Sequence, residues 1–346
     1  DLNRALNYLD FQYFCKRKIN TMTNILIALV VLLVIVALVQ ITRVSELLGE
    51  LKNQDVNEVT DDDNKTQGIL VLIIGMGFIA FVVWQMLEWN HLLLPGAASV
   101  HGEKIDVLMK FSMTLILIVF FIVTPMLFYF AYKYRGNKNR SAYFLSHNNK
   151  LEVVWTVIPT IVLTGVIIYG LKVWNDTMYP DTSEAKVIEL YSEQFKWTAR
   201  SAGADNKLGS SNYKLVTSTN ATGVDMQDKN SLDDQLIREV HLVVDNPVLL
   251  KFRSRDVIHS AFLPHFRVQM NCVPGLSTQF AFTPNKTTKE MKAQEGEDFE
   301  YVLLCNKICG SAHYNMQMQF VVETQAEYDA WIASQKTLSE KLLTQK

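Results

Sequence analysis

The chain has 346 residues, 49% of them hydrophobic and 20% charged, with a formal net charge of −2. That apolar content excludes a disordered chain, and no concentrated basic face marks a nucleic-acid partner. Four cysteines are too few for a secreted scaffold built from disulfides.

Apolar residues are distributed unevenly. Long uncharged runs fill the chain up to about Trp174, and the remainder reads as an ordinary water-soluble protein. A helix crosses a bilayer with about 20 apolar residues. Four stretches meet or approach this: Asn24 to Ile41, Gly68 to Leu87, Phe111 to Tyr132 and Val153 to Leu171. Pro125 and Pro159 lie inside the last two, which membranes tolerate where neighbouring helices or polar side chains re-satisfy the freed carbonyls.

Lys133, Arg135, Lys138, Arg140 and Lys150 occupy the loop before the fourth span with no acid among them. The positive-inside rule puts that loop in the cytoplasm and the soluble half outside. By parity, the loop from Arg43 to Gln67 also lies inside. It carries seven acids, Glu46, Glu50, Asp55, Glu58, Asp61, Asp62 and Asp63, against three bases, while Lys16, Arg17 and Lys18 precede the first span. These features compete with the assigned orientation, but acids contribute little to it.

From Lys186 onward, short β-branched and aromatic runs alternate with turn residues. They are Lys186 to Leu190, Gln194 to Thr198, Val240 to Val244, Val248 to Phe252, Ser277 to Phe282, Phe299 to Leu304 and Met318 to Glu323. This spacing predicts a β-sandwich or barrel, giving an α+β chain overall. The polar segment 201–234 reads as an excursion between strands, and Ala326 to Lys346 as a terminal amphipathic helix.

The chemistry concentrates in Cys305-Asn306-Lys307-Ile308-Cys309-Gly310-Ser311-Ala312-His313-Tyr314-Asn315-Met316. Thiolates, an imidazole and a thioether form the soft donor set that selects copper. A mononuclear electron-transfer copper uses one thiolate, whereas two cysteines on one tight loop can bridge a pair of copper ions. The second copper then needs another histidine. His259, in Asp256-Val257-Ile258-His259-Ser260, is the leading choice, because a cupredoxin-like sandwich takes its first histidine from an earlier strand and the other ligands from a late loop. A Cys305–Cys309 disulfide and a closed zinc site with His259 and His313 are the alternatives. The first explains neither histidine, and the second gives Met316 no role.

These motifs, with Val273-Pro274-Gly275 and the membrane run Leu151-Glu152-Val153-Val154-Trp155-Thr156-Val157-Ile158-Pro159, make the chain similar to subunit II of haem-copper cytochrome c oxidases over roughly Leu94 to Trp331. The resemblance implies a domain order of a 1–92 extension with two added helices, a 93–175 membrane hairpin, and a 176–346 extracytoplasmic cupredoxin-like copper domain. It implies a dinuclear copper cofactor, with Cys305 and Cys309 bridging, His259 and His313 terminal, and Met316 and the Lys307 carbonyl as weak ligands. The family usually has Glu at position 307, where it helps hold magnesium. A Lys ammonium cannot ligate a hard cation, which puts magnesium in doubt.

The family's electron-accepting tryptophan falls on Phe195, and the motif's second tryptophan is Trp197. An acid common near the Pro-Gly pair is Asn271 here, and the adjacent Cys272 reads as a buried thiol. Glu152 matches the family's acid at the mouth of a proton path, or it is a carboxylate snorkelling at a helix end. Arg253, Arg255 and Arg267 either pair with haem propionates or are solvated strand residues.

The implied partners are the haem-bearing subunit I, subunit III, and a cytochrome c or haem c subunit as electron donor. No Cys-x-x-Cys-His motif offers a covalent haem site. The implied place is the bacterial plasma membrane with the copper domain in the periplasm or cell exterior, the mitochondrial inner membrane being the alternative. Residues Asn175 to Lys346 carry 22 acids and 18 bases, compatible with docking a basic donor. Competing functional classes are a membrane-anchored copper protein and a quinol-oxidase-like subunit II that lacks copper ligands.

Overall fold

The structure, a computed structural model, describes residues 21–51 and 58–343. The Lys16–Lys18 cluster, Asp55 and the end of the predicted terminal helix lie outside the described residues. Four helices, α1 (Thr21–Leu51), α2 (Asp61–Trp89), α3 (Val100–Lys133) and α4 (Asn149–Met178), are each long and apolar enough to cross a membrane. They outrun the apolar stretches because a helix of 29–34 residues is about 45–50 Å long and the hydrocarbon core only about 30 Å. Polar termini therefore extend past the lipid. In the turn after Pro159, Thr160 Oγ1 donates to the Thr156 carbonyl at 2.6 Å.

The described residues form two compact units. In the first, which includes α2 and residues 115–152, Gly75 lies against Phe128. A Cβ there would stand 2.1 Å from the ring, so only glycine permits this approach. A capping box starts α2: Thr60 Oγ1 accepts from the Asp63 N–H at 3.2 Å, and the Asp63 carboxylate accepts from the Thr60 N–H at 2.9 Å. The described residues at the start of α2 meet the basic loop after α3. Lys138 Nζ is 3.1 Å from Glu58, and the Lys138 N–H donates to Asp61 at 2.9 Å. Two of the acids that compete with the orientation rule, Glu58 and Asp61, thus meet Lys138 of the basic loop.

The second unit contains residues 92–114 and 153–346. Its strands are β1 (Lys186–Glu193), β2 (Lys196–Ser201), β3 (Gln235–Ile237), β4 (Val240–Val243), β5 (Val248–Ser254), β6 (His259–Leu263), β7 (Val268–Cys272), β8 (Thr278–Phe282), β9 (Tyr301–Cys305) and β10 (Gln317–Glu323). They make two five-stranded sheets, ordered β3-β2-β1-β5-β8 and β4-β10-β9-β6-β7. The β1–β5 and β4–β10 pairs are parallel, and the inward faces of both sheets supply Leu190, Leu250, Phe252, Leu263, Leu303 and Phe320 to one buried core. This is the cupredoxin-like sandwich that the sequence predicts.

Three strands differ from expectation. β3 is too short to show a period. β6 and β7 are not among the predicted runs, because polar and proline-flanked residues interrupt them; His259 follows the apolar strand β5 and opens β6. Residues 194–195 form the turn before β2 instead of its start. Between β8 and β9, Thr287 caps α5 (Thr288–Glu295). The predicted single terminal helix is two, α6 (Gln325–Ala333) and α7 (Leu338–Leu343), because Ser334 takes the C-cap of α6 and the chain turns there.

The polar excursion is tied down by charge. Arg200, fully buried, reaches Glu189 and Asp234 at 2.9 Å each and the Gly209 carbonyl at 3.0 Å.

Candidate metal centre

Two adjacent strands build the site. β6 pairs with β9 so that Ala261 faces Cys305, which places His259 at the same sheet end as the loop leaving β9. The Asn306 N–H donates to the Ser260 carbonyl at 2.9 Å, and the Cys305 N–H donates to the Met316 carbonyl at 3.2 Å. These bonds close the cysteine loop back onto the sheet.

The side chains then form a row. His259 Nδ1 lies 3.8 Å from Cys305 Sγ, Cys305 Sγ 3.9 Å from Cys309 Sγ, and Cys309 Sγ 3.6 Å from His313 Nδ1. Met316 Sδ stands 3.9 Å from Cys309 Sγ, and the Lys307 carbonyl 3.3 Å from Cys305 Sγ. Two sulfurs bonded tetrahedrally to one metal at about 2.3 Å are about 3.8 Å apart, and a sulfur and an imidazole nitrogen about 3.5 Å. The donor atoms are therefore already spaced as ligands. His259 Nδ1 and both sulfurs lie within 4.8 Å of one another. Cys305 and Cys309 are free thiols, with their sulfurs about twice as far apart as in a disulfide, so that alternative is not realised.

Burial opposes ionisation at Cys305, but hydrogen bonds from His259, the Ser260 segment and the Lys307 segment outweigh it and draw the thiol down to about 6. Burial and then the Cys305 charge push Cys309 up to about 11. The first thiolate forms readily and resists the second, the situation a bound cation relieves. Burial likewise disfavours charge on His259, yet its bonds to Cys305 and Asp256 raise its pKa.

Asp256 was not singled out by the sequence, although it stands three residues before His259. Its Oδ1 is 2.8 Å from His259 Nε2, which leaves Nδ1 facing the sulfurs. Gln194 was also missed, and no pattern in the sequence marks it. Its side-chain Nε2 donates to the Cys309 carbonyl, and its N–H to Asp256 at 2.8 Å.

Phe195 is half-buried beside Gly310, and buried Trp197 lies edge-on to His259 with ring centroids 6.3 Å apart. Met316 is buried and Lys307 exposed. Cys272 is fully buried opposite His259 across the β6–β7 pair, and burial pushes its thiol up to about 12.

Glu152 occupies the exposed first turn of α4, where Oε1 accepts from the Asn148 N–H at 3.4 Å. The three arginines are engaged within the chain: Arg253 with Glu189 at 2.6 Å, Arg255 with Glu193 at 2.6 Å and Arg267 with Asp106 at 2.9 Å.

Comparison with known proteins identifies the family. The family model of the cytochrome c oxidase subunit II transmembrane domain matches residues 83–173, and that of its periplasmic domain residues 187–325. Most of the chain before α3 lies outside both. The alternative cytochrome c oxidase subunit 2 of Bradyrhizobium diazoefficiens is 28% identical over 275 residues, covering 78% of this chain and 92% of that protein. Cytochrome c oxidase subunit 2 of Synechocystis sp. is 26% identical over 285 residues, covering 77% and 82%. That of Cereibacter sphaeroides is 25% identical over 253 residues, covering 69% and 78%. With its anchor helices and its outer β-domain each matched by a part of the same family, the chain belongs to subunit II of cytochrome c oxidase, a membrane-anchored component of an oxygen-reducing complex.

Proposed function

We propose that this chain receives single electrons from a reduced haem c protein and delivers them toward the haems of subunit I through a dinuclear copper centre. The observation that carries this reading is the row His259–Cys305–Cys309–His313 at 3.8, 3.9 and 3.6 Å, in which two sulfurs stand between two imidazoles. Cys305 and Cys309 would supply the shared thiolates, His259 and His313 the imidazoles, and Met316 and the Lys307 carbonyl the weak ligands. When bound, two coppers sharing sulfurs supply a one-electron store.

The protein's own part is to hold donors still and dry. β6 and β9 fix the ligand-bearing backbone, so reorganisation on changing charge is small. Buried Met316 and fully buried His259 keep water from the sulfurs. Phe195 and Trp197 provide an aromatic edge on the side where electrons arrive. Lys307 contributes a carbonyl and no magnesium ligand. Glu152 would serve as the outer acid of a proton path into subunit I.

The domain order follows as a 1–92 extension, a 93–175 anchor and a 176–346 copper domain facing the periplasm of a bacterial cell. Subunit I, and also subunit III, complete the complex. The test is metal analysis and electron-spin resonance of the purified oxidase. Two coppers sharing one unpaired electron support the reading. A four-line spectrum of isolated copper, or zinc in the site, defeats it.

A further inference from the structure

We propose that Gln194 is the positioning residue that sets the contact between Phe195 and the cysteine loop, an inference that rests on the copper reading above. Gln194 is exposed and contributes nothing to the core, yet it holds two remote segments together. Its Nε2 donates to the Cys309 carbonyl. Its N–H donates at 2.8 Å to Asp256 Oδ2, and the other oxygen of that carboxylate is 2.8 Å from His259 Nε2. The side chain thus engages the late loop, and the backbone engages the segment of the first histidine.

The turn is anchored independently of that amide. The Arg255 N–H donates to the Ser192 carbonyl at 2.9 Å, and Arg255 Nη1 lies 2.6 Å from Glu193. What remains for the Gln194 side chain is the link to Cys309.

Phe195 explains why the link matters. A phenyl ring has no hydrogen-bonding handle, so its approach to the loop must be set by neighbours. A Cβ on Gly310 would stand 2.8 Å from Phe195 Cε1 and Cζ and from Gln194 Nε2, and Gly310 has φ +143. The ring reaches the loop only because position 310 has no side chain, and the Gln194 amide draws that loop against the turn carrying the ring. In the step served, the haem c donor loses one electron and the copper centre gains one, with no bond made or proton moved.

The test uses the assembled oxidase carrying Gln194→Ala, Gln194→Glu, Phe195→Leu and the Ala/Leu double change. Copper content, the near-infrared band and the rate of electron arrival at saturating reduced cytochrome c are measured. Gln194→Ala should retain wild-type copper and slow electron arrival several-fold, because electron transfer falls off exponentially as the ring moves away from the loop. Gln194→Glu, which sets an acceptor against the Cys309 carbonyl, should slow it at least as much. In the Phe195→Leu background, Gln194→Ala should add little, because both act on one contact.

A wild-type rate in both Gln194 variants, or an undiminished Gln194 effect without the ring, overturns the role. A wild-type oxidase without paired coppers fails differently, since it removes the reading on which the role rests.

Discussion

His259 Nε2 and Asp256 Oδ1 lie 2.8 Å apart while Nδ1 of the same ring faces Cys305 Sγ at 3.8 Å, so the carboxylate selects which nitrogen is offered to a metal. Partners of this kind typically contribute 10–100-fold in affinity, roughly. Asp256→Ala should weaken copper retention by about that factor in competition with a chelator, and Asp256→Asn, which keeps an acceptor oxygen, by less. Equal retention in all three proteins would show that the ring is oriented by packing alone.

The row of donors assigns unequal weights. Cys305→Ser or Cys309→Ser should abolish the paired-copper spectrum, because the bridging sulfurs carry much of the affinity. Met316→Leu should keep both metals and shift the reduction potential. Lys307→Ala should leave copper content unchanged, since only its backbone carbonyl approaches Cys305. Loss of copper in Lys307→Ala, read by metal analysis, would contradict that assignment.

Arg200 joins β2 to Glu189 on β1 and to Asp234 at the end of the polar excursion, with all three side chains almost wholly buried. Breaking a buried pair from one side typically costs about 3–5 kcal/mol. Arg200→Met should lower stability by that order in chemical denaturation. Adding Asp234→Asn should recover part of it by removing the stranded charge. If the double variant is no better than the single one, the link is not electrostatic.

Acid should destabilise the outer domain through His265, which packs against Phe299 and Tyr301. Burial, and then Arg267, press its pKa from 6.5 down to about 4. The fold keeps this ring neutral, so its contribution is complete above pH 6.5 and declines as pH falls toward 4. Between pH 7 and 5 the loss is about 1–2 kcal/mol. Thermal unfolding of the purified chain should show a smaller acid-side decline in His265→Gln, and an identical decline would remove His265 as its source.

Hydropathy alone located the four helices that are long and apolar enough to cross a membrane, because the absence of water in lipid forces uncharged runs of fixed length. Soft donors crowded between Cys305 and Met316 exposed the metal chemistry for a similar reason, since few other uses need two thiols, an imidazole and a thioether within twelve positions. The role of Gln194 was invisible there. It depends on a carbonyl 115 residues away, and no local period encodes a contact made only when β1–β2 meets the β9 loop.

Strands β6 and β7 were hidden because their pairing partners, rather than their own propensity, hold them extended. The partners that Arg253, Arg255 and Arg267 find within the chain, Glu189, Glu193 and Asp106, could not be read from the sequence. Composition fixes which groups are available, but charges and ligands acquire partners only through long-range packing, and that was decided by the tertiary structure.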